Sequence, residues 1–193
     1  MAEVTTAQPP RRCRDAAARK QLIERAHALG VPRDYGRSRG LRIQREPTRL
    51  VSIGPDIHDR IQWLQPRAAR ALTRMRGTAA RDGLTLQIVS AFRSVEYQLG
   101  ILERKLARGL NIDEILRVSA APGYSEHHTG RCVDFTASGF TPLEEEFEHS
   151  PEFAWLQRHA AEYRFALSYP HDNRHGIAYE PWHWCWHARL PRH

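Results

Sequence analysis

Two short stretches far apart in the chain limit what it can fold into more than any other feature. GYSEHHTGRCVDF, residues 123–135, holds two adjacent histidines and then Asp134, and EPWHWCWH, residues 180–187, holds Glu180, His183 and His187. If both stretches serve one site, the fold must bring them together. A catalytic zinc takes three protein ligands from His, Asp, Glu or Cys and leaves a position open. His127 and Asp134 are seven residues apart, which on a straight helix is about 10.5 Å of rise, too far for two ligands each roughly 2.0–2.2 Å from one ion. Gly130 removes the difficulty by letting the loop turn back, so that His127 enters from a loop and Asp134 from a strand. Glu180 and His183 are three apart and would face opposite sides of a regular strand. Pro181 argues against a regular central strand there, and a bend aims both at one centre. A glutamate that is not itself a ligand is the usual general base beside such a metal. The same spacings fit a plainer arrangement, with His127 and His183 as hydrogen-bonded loop residues and Asp134 capping a turn.

Periodicity organises the rest. Residues 1–14 are polar, with paired prolines, and read as a disordered or loose arm. Residues 15–29 read as a helix stopped by Gly30. Residues 31–56 are rich in Arg, Gly and Pro, with one apolar patch at 50–53. From Ile57 to Asp82 apolar positions recur at helical spacing, and Pro66 divides or kinks the run. LTLQIVSA, 84–91, reads as a strand. The next helix follows Ser94 as its cap and stops at Gly109. A loop spans 119–131, CVDFT is a short strand, and SPEFAWLQRHAAEY is a helix capped by Ser150 with Pro151 in its first turn. The tail reads as two or three short strands. The expected fold is α+β, a small antiparallel sheet flanked by helices behind a mainly helical N-terminal region. A single domain is expected over 15–193.

The net charge of +7 on 193 residues invites a nucleic-acid reading. The basic residues are dispersed, however, only RRCR clusters, and no nucleic-acid-binding motif accompanies them. A solvated basic surface, or attraction to anionic peptide carboxylates, accounts for the charge. The cysteines are Cys13, Cys132 and Cys185, an odd count without C-x-x-C spacing, so no disulfide scaffold is expected. No apolar run has the form of a signal peptide or approaches the roughly 20 residues of a membrane span. The expectation is a cytoplasmic monomer with no nucleic-acid partner, although a cell-wall substrate would call for periplasmic or wall action.

SEHHTGRCVD fits S-x-H-x-x-G-x-x-x-D, EPWH fits E-x-W-H, and SAFRSVEYQ, 90–98, resembles a third element, S-x-x-R-S ending in Gln. With the three in this order, residues 84–188 resemble the zinc D-alanyl-D-alanine carboxypeptidases of vancomycin-resistance type. That family has L,D-cleaving members and shares its metal site with lysostaphin-type peptidases and the hedgehog domain. The resemblance implies one Zn(2+) per chain, held by His127, Asp134 and His183, with Glu180 as base. It makes Arg93 the residue that binds substrate and polarises the scissile carbonyl, and puts Ser125 and Gln98 against the substrate's terminal residue. It implies hydrolysis of the terminal D-alanine bond of peptidoglycan stem peptides by a zinc-activated water. The alternatives are a peptidoglycan endopeptidase or lysin, and a non-catalytic zinc-stabilised module that binds cell-wall peptides. His128, one step out of register, should point away to a hydrogen bond or to solvent.

Two positions depart from the pattern. Cys132 stands where many relatives have alanine, and Cys185 where many have arginine. Cys185 is expected as a packed thiol, with a surrogate ligand or redox-sensitive neighbour as the alternative. Tyr124, Tyr179 and Trp182 are candidate cleft residues. His171 and His175 are expected in a solvated turn, and Glu144 to Glu148 on a solvated helix face.

Overall fold

A computed structural model describes residues 8–13 and 15–189. Helix α1 (Ala16–Ala28) is capped by the Asp15 carboxylate, which accepts from the Ala17 and Ala18 amides, satisfying donors that a helix start leaves free. A one-turn helix, α2 (Tyr35–Ser38), precedes an antiparallel hairpin of β1 (Val51–Pro55) and β2 (Ile61–Leu64). Then come α3 (Pro66–Arg81), β3 (Gln87–Ser90), α4 (Val95–Ala107), α5 (Ile112–Arg117) and β4 (Cys132–Thr136). Last are α6 (Pro151–His159), β5 (Phe165–Leu167) and β6 (His183–Trp186). Ser94 caps α4, an Asn111–Glu114 capping box starts α5, and Ser150 caps α6 with Pro151 in its first turn.

The main sheet has four antiparallel strands in the order β3-β4-β6-β5. All five residues of β4 are buried, so it is covered on both faces. Val133 and Phe135, with Trp184 and Trp186 of β6, join the main core against α3 and α6. The alternation of a strand sends Cys132, Asp134, Cys185 and His183 to the opposite face. There the register pairs Cys132 with Cys185 and Asp134 with His183. A second apolar cluster joins Ala26 of α1, Leu99 and Leu102 of α4, Ile115 of α5, Tyr35 and Tyr124. The fold is thus the expected α+β arrangement.

Several local expectations change. The run beginning at Ile57 is not helical until Pro66, because residues 61–64 pair with β1 as a hairpin and Pro66 serves as a first-turn residue rather than a kink. The N-terminal region therefore contains a hairpin beside its helices. Helix α5 falls where no helix is expected, and residues 175–180 of the tail form no strand. The glutamate run is no helix face: Glu145–His149 is a 3-10 turn. In the N-terminal arm, residues 1–7 and 14 lie outside the described residues, while Arg12 and Cys13 bond to the Thr48 carbonyl (2.7 Å) and the Glu46 carboxylate (2.6 Å). Among the described residues no helix is long and apolar enough to cross a membrane.

Candidate metal and catalytic site

The first histidine stretch folds as a tight turn onto a strand. Residues Glu126–Thr129 form a 3-10 turn that ends at Gly130 in the left-handed conformation, φ 62°. A Cβ at Gly130 would stand 3.2 Å from the Gln65 backbone nitrogen and 3.1 Å from Leu50. Glycine therefore supplies both the positive φ and the close approach, and the chain reverses directly into β4. The second stretch bends as Pro181 requires. The His183 amide donates to the Glu180 carbonyl (3.1 Å), which turns the chain before β6 begins.

This geometry brings His127, Asp134 and His183 together, each buried, with one ligand atom apiece inside 4.8 Å of the others. His127 Nδ1 lies 2.5 Å from the Ala91 carbonyl. A carbonyl only accepts, so Nδ1 carries the proton and Nε2 presents a lone pair. That Nε2 is buried and has no hydrogen-bond partner, although Asp134 Oδ2 is 3.1 Å away. Two acceptors that close need a proton or a cation between them. His183 Nδ1 lies 2.9 Å from Asp134 Oδ1, and its Nε2 lies 3.1 Å from Glu126 Oε2. Two imidazoles and one carboxylate match a catalytic zinc's donor set. Among the described residues a second group of ligand-type side chains, Glu126, Cys132, His183 and Cys185, shares His183 with the first. Its two cysteines are bonded to each other.

Electrostatics follow from this packing. Burial opposes charge on His183, but its hydrogen bonds to Asp134 and Glu126 outweigh that and push its pKa up to about 10 in the metal-free protein. Burial alone would raise the Asp134 pKa, and the two histidines instead hold it well below the carboxylate range. Burial, with Arg93 beside it, drives His127 down to about 4. It is therefore neutral at physiological pH, as a ligand must be. Glu180 lies with Oε2 3.9 Å from His183 Nδ1. Burial raises its pKa to about 7, with the negative charges of Asp134 and Glu126 adding to the effect and His183 and Arg93 opposing it.

A cleft of about 390 Å³ opens over the cluster, lined by Arg93, Ser125, Tyr179, Glu180, Trp182 and all three of His127, Asp134 and His183. The Arg93 guanidinium comes within 3.9 Å of Asp134 Oδ2, and its buried Nε has no partner. Lys105, Tyr169, Glu144 and Glu145 also line the cleft. Spacing singles out none of these four as a site residue. Tyr169 stacks on the His183 ring with centroids 5.0 Å apart. The acidic run expected to be solvated thus supplies part of the rim.

Two expected site residues lie elsewhere. Gln98 is buried behind the cleft wall, donating to the Ser119 hydroxyl (3.0 Å) and the Ala120 carbonyl (2.9 Å). It shapes the 119–120 loop instead of facing the opening. Tyr124 packs edge-on against Tyr35, centroids 5.3 Å apart, and belongs to the second core cluster. His128 is fully buried, its Nδ1–H donated to the Arg93 carbonyl (2.7 Å) and its Nε2 accepting from the Gly123 amide (3.1 Å). Burial pushes its pKa down to about 3, so it stays neutral and braces the loop that carries Arg93. His171 is exposed in its turn, as expected, and stacks on Tyr179 at 3.7 Å, whereas His175 is half-buried there, its Nδ1 2.8 Å from the Arg39 carbonyl. Cys185 is not a packed thiol: it forms a disulfide with Cys132 across β4 and β6. The two departures from the family pattern are cross-strand partners, which a separation of 53 residues conceals.

The chain is similar to known carboxypeptidases. A family model described as VanY, D-alanyl-D-alanine carboxypeptidase, matches residues 61–189. YodJ of Bacillus subtilis (strain 168), assigned as a carboxypeptidase, is 34% identical over 150 residues, 72% of this chain and 53% of YodJ. The chain thus spans about half the length of that relative. Among solved structures, the LD-carboxypeptidase LdcB superposes with a TM-score of 0.65 at 30% identity, covering 76% of this chain and 74% of LdcB. A variant of the vancomycin-resistance D,D-pentapeptidase VanY in complex with Zn(II) superposes with a TM-score of 0.56 at 25% identity, covering 72% and 79%.

Proposed function

This chain belongs to the VanY family of D-alanyl-D-alanine carboxypeptidases, and on that premise we propose that it is a zinc-dependent carboxypeptidase removing the terminal D-alanine of peptidoglycan stem peptides. The observation that carries the reading is the convergence of His127 Nε2, Asp134 and His183 Nδ1 beside Glu180, at the base of a cleft that Arg93 enters. Those three side chains would hold the ion. When bound, zinc supplies a Lewis acid that acidifies a water and polarises a carbonyl.

The remaining work falls to this chain's own residues. Glu180 accepts the proton of the attacking water at its carboxylate and returns it to the leaving amine. Its pKa of about 7 suits both steps, because a base matched to the working pH transfers protons in either direction at low cost. The Arg93 guanidinium faces the charge that grows on the scissile carbonyl oxygen. Lys105, at the same cleft, offers a second cation for the substrate's terminal carboxylate, and the buried Ser125 hydroxyl offers a hydrogen bond. D-alanine release from a pentapeptide precursor, measured with zinc-loaded protein, should require both zinc and Glu180. Equal rates for the wild type and Glu180→Ala would overturn the assignment.

The likeness to LdcB, a structure of an LD-carboxypeptidase, favours a second reading of the same site. In it, D-alanine is removed from a tetrapeptide after an L-configured residue. Mass spectrometry of digests of defined tetra- and pentapeptides distinguishes the two by which one is shortened.

A further inference from the structure

A neutral imidazole carries one proton, so only one of its nitrogens can face a metal. Something must select which one. His127 is settled by the backbone, because the Ala91 carbonyl takes its Nδ1–H and leaves Nε2 for the ion. His183 must do the reverse, since its Nδ1 faces Asp134. Among the described residues the backbone offers no acceptor to its outer nitrogen. The group that meets Nε2 is the carboxylate of Glu126, with Oε2 at 3.1 Å. Cys185 Sγ is also close, at 3.3 Å, but in the disulfide it has no S–H to donate. Glu126 directly precedes His127 in the 3-10 turn. One residue of that turn is therefore a ligand, and its neighbour reaches around to the back of the other histidine ligand.

We infer that Glu126 is a positioning residue for the metal centre. By accepting the Nε2–H of His183, it fixes the tautomer and ring orientation that aim Nδ1 at the point shared with His127 and Asp134. A carboxylate behind a ligating imidazole also makes the ring a stronger donor. The role fits Glu126's place off the cleft: it is absent from the lining and has no line to a substrate. The inference rests on the zinc reading of this site.

The test compares the wild type, Glu126→Gln and Glu126→Ala as full-length protein, with zinc affinity measured by competition against a chromophoric chelator. Glu126→Ala should weaken zinc binding by roughly 10–100-fold, the usual cost of losing such a partner. Glu126→Gln should lose less, because its amide oxygen still accepts the hydrogen bond without the charge. In the zinc-loaded protein labelled with ¹⁵N-histidine, the wild type should show a hydrogen-bonded Nε2–H proton for His183, shifted downfield. Glu126→Ala should lose that signal, a change that a purely structural role would not produce. A wild type that holds no zinc would overturn the site itself, and this inference with it. Zinc held within about twofold by the wild type and by Glu126→Ala, with the Nε2–H signal unchanged, would overturn the inference alone. Should Glu126→Ala not fold, Glu126→Leu, which fills the space without an acceptor, carries the test, and zinc affinity and Nε2–H signal both unchanged in it would overturn the inference in the same way.

Discussion

The floor and the rim of the cleft are built on different principles. The floor is the β4–β6 strand pair with the 126–130 turn laid on it. Every residue of β4 and β6 is buried, the ladder fixes Asp134 opposite His183, and the Cys132–Cys185 disulfide ties the same two strands two residues away. The rim is drawn from segments with little or no ladder: Ser119 and Ala120, Leu143 to Glu145, and Ile177 to Trp182. Its charges are mixed, Arg93 and Lys105 against Glu144 and Glu145. A metal site tolerates little displacement of its ligands, so it sits on hydrogen-bonded strands. Substrate contacts can vary, so they sit on loops positioned by that scaffold. Floor substitutions should therefore act on metal and turnover, and rim substitutions on substrate affinity.

The largest expected effect is at the floor. His127→Ala should lose its zinc on dialysis and fall to background activity, read by metal content and D-alanine release. Glu180→Ala stands at the boundary of floor and rim. It should keep its zinc while turnover falls by roughly 10²–10⁴-fold, the usual contribution of a positioned base. Because the ionised carboxylate is the base and a nearby cation lowers a carboxyl's pKa, the rate of the zinc-loaded wild type should rise with pH to a plateau reached no higher than about 7. A rate that falls over that interval would remove Glu180 from the role.

Next in size is the disulfide. Replacing both Cys132 and Cys185 by serine frees a loop of 53 residues and should cost roughly 2–4 kcal/mol of stability by thermal or denaturant unfolding. His128→Ala removes partners from the Arg93 carbonyl and the Gly123 amide. It should cost about 1–3 kcal/mol and leave zinc content unchanged, in contrast to His127→Ala. The smallest effect is at the rim, where Lys105→Met should raise KM by roughly tenfold, or about 1.4 kcal/mol, with zinc and kcat retained. Zinc loss in the Lys105 variant, or retained activity in the His127 variant, would break the division between floor and rim.

Much of the floor was legible because metal chemistry imposes spacing. Gly130 reads as a reversal and Pro181 as a bend, and both occur where expected. The caps at Ser94 and Ser150 mark helix starts because they act within three residues. Legibility fails where a residue's role depends on a partner remote in sequence. Ile57, Ile61 and Leu64 keep helical spacing yet go into a hairpin region, since pairing with β1 outweighs local pattern. Gln98 fits the motif and Tyr124 adjoins it in sequence, but both pack away from the opening.

The sequence by itself singled out three candidate ligands and a candidate base, through their spacing and a family resemblance, and the α+β class, because glycine reversal and hydrophobic period are local properties. Only the tertiary structure decided that Cys132 meets Cys185, that Lys105 and two glutamates reach the cleft, and that Glu126 stands behind His183. The disulfide and the Glu126–His183 contact follow from strand register and join residues 53 and 57 apart, and no local pattern encodes such a register.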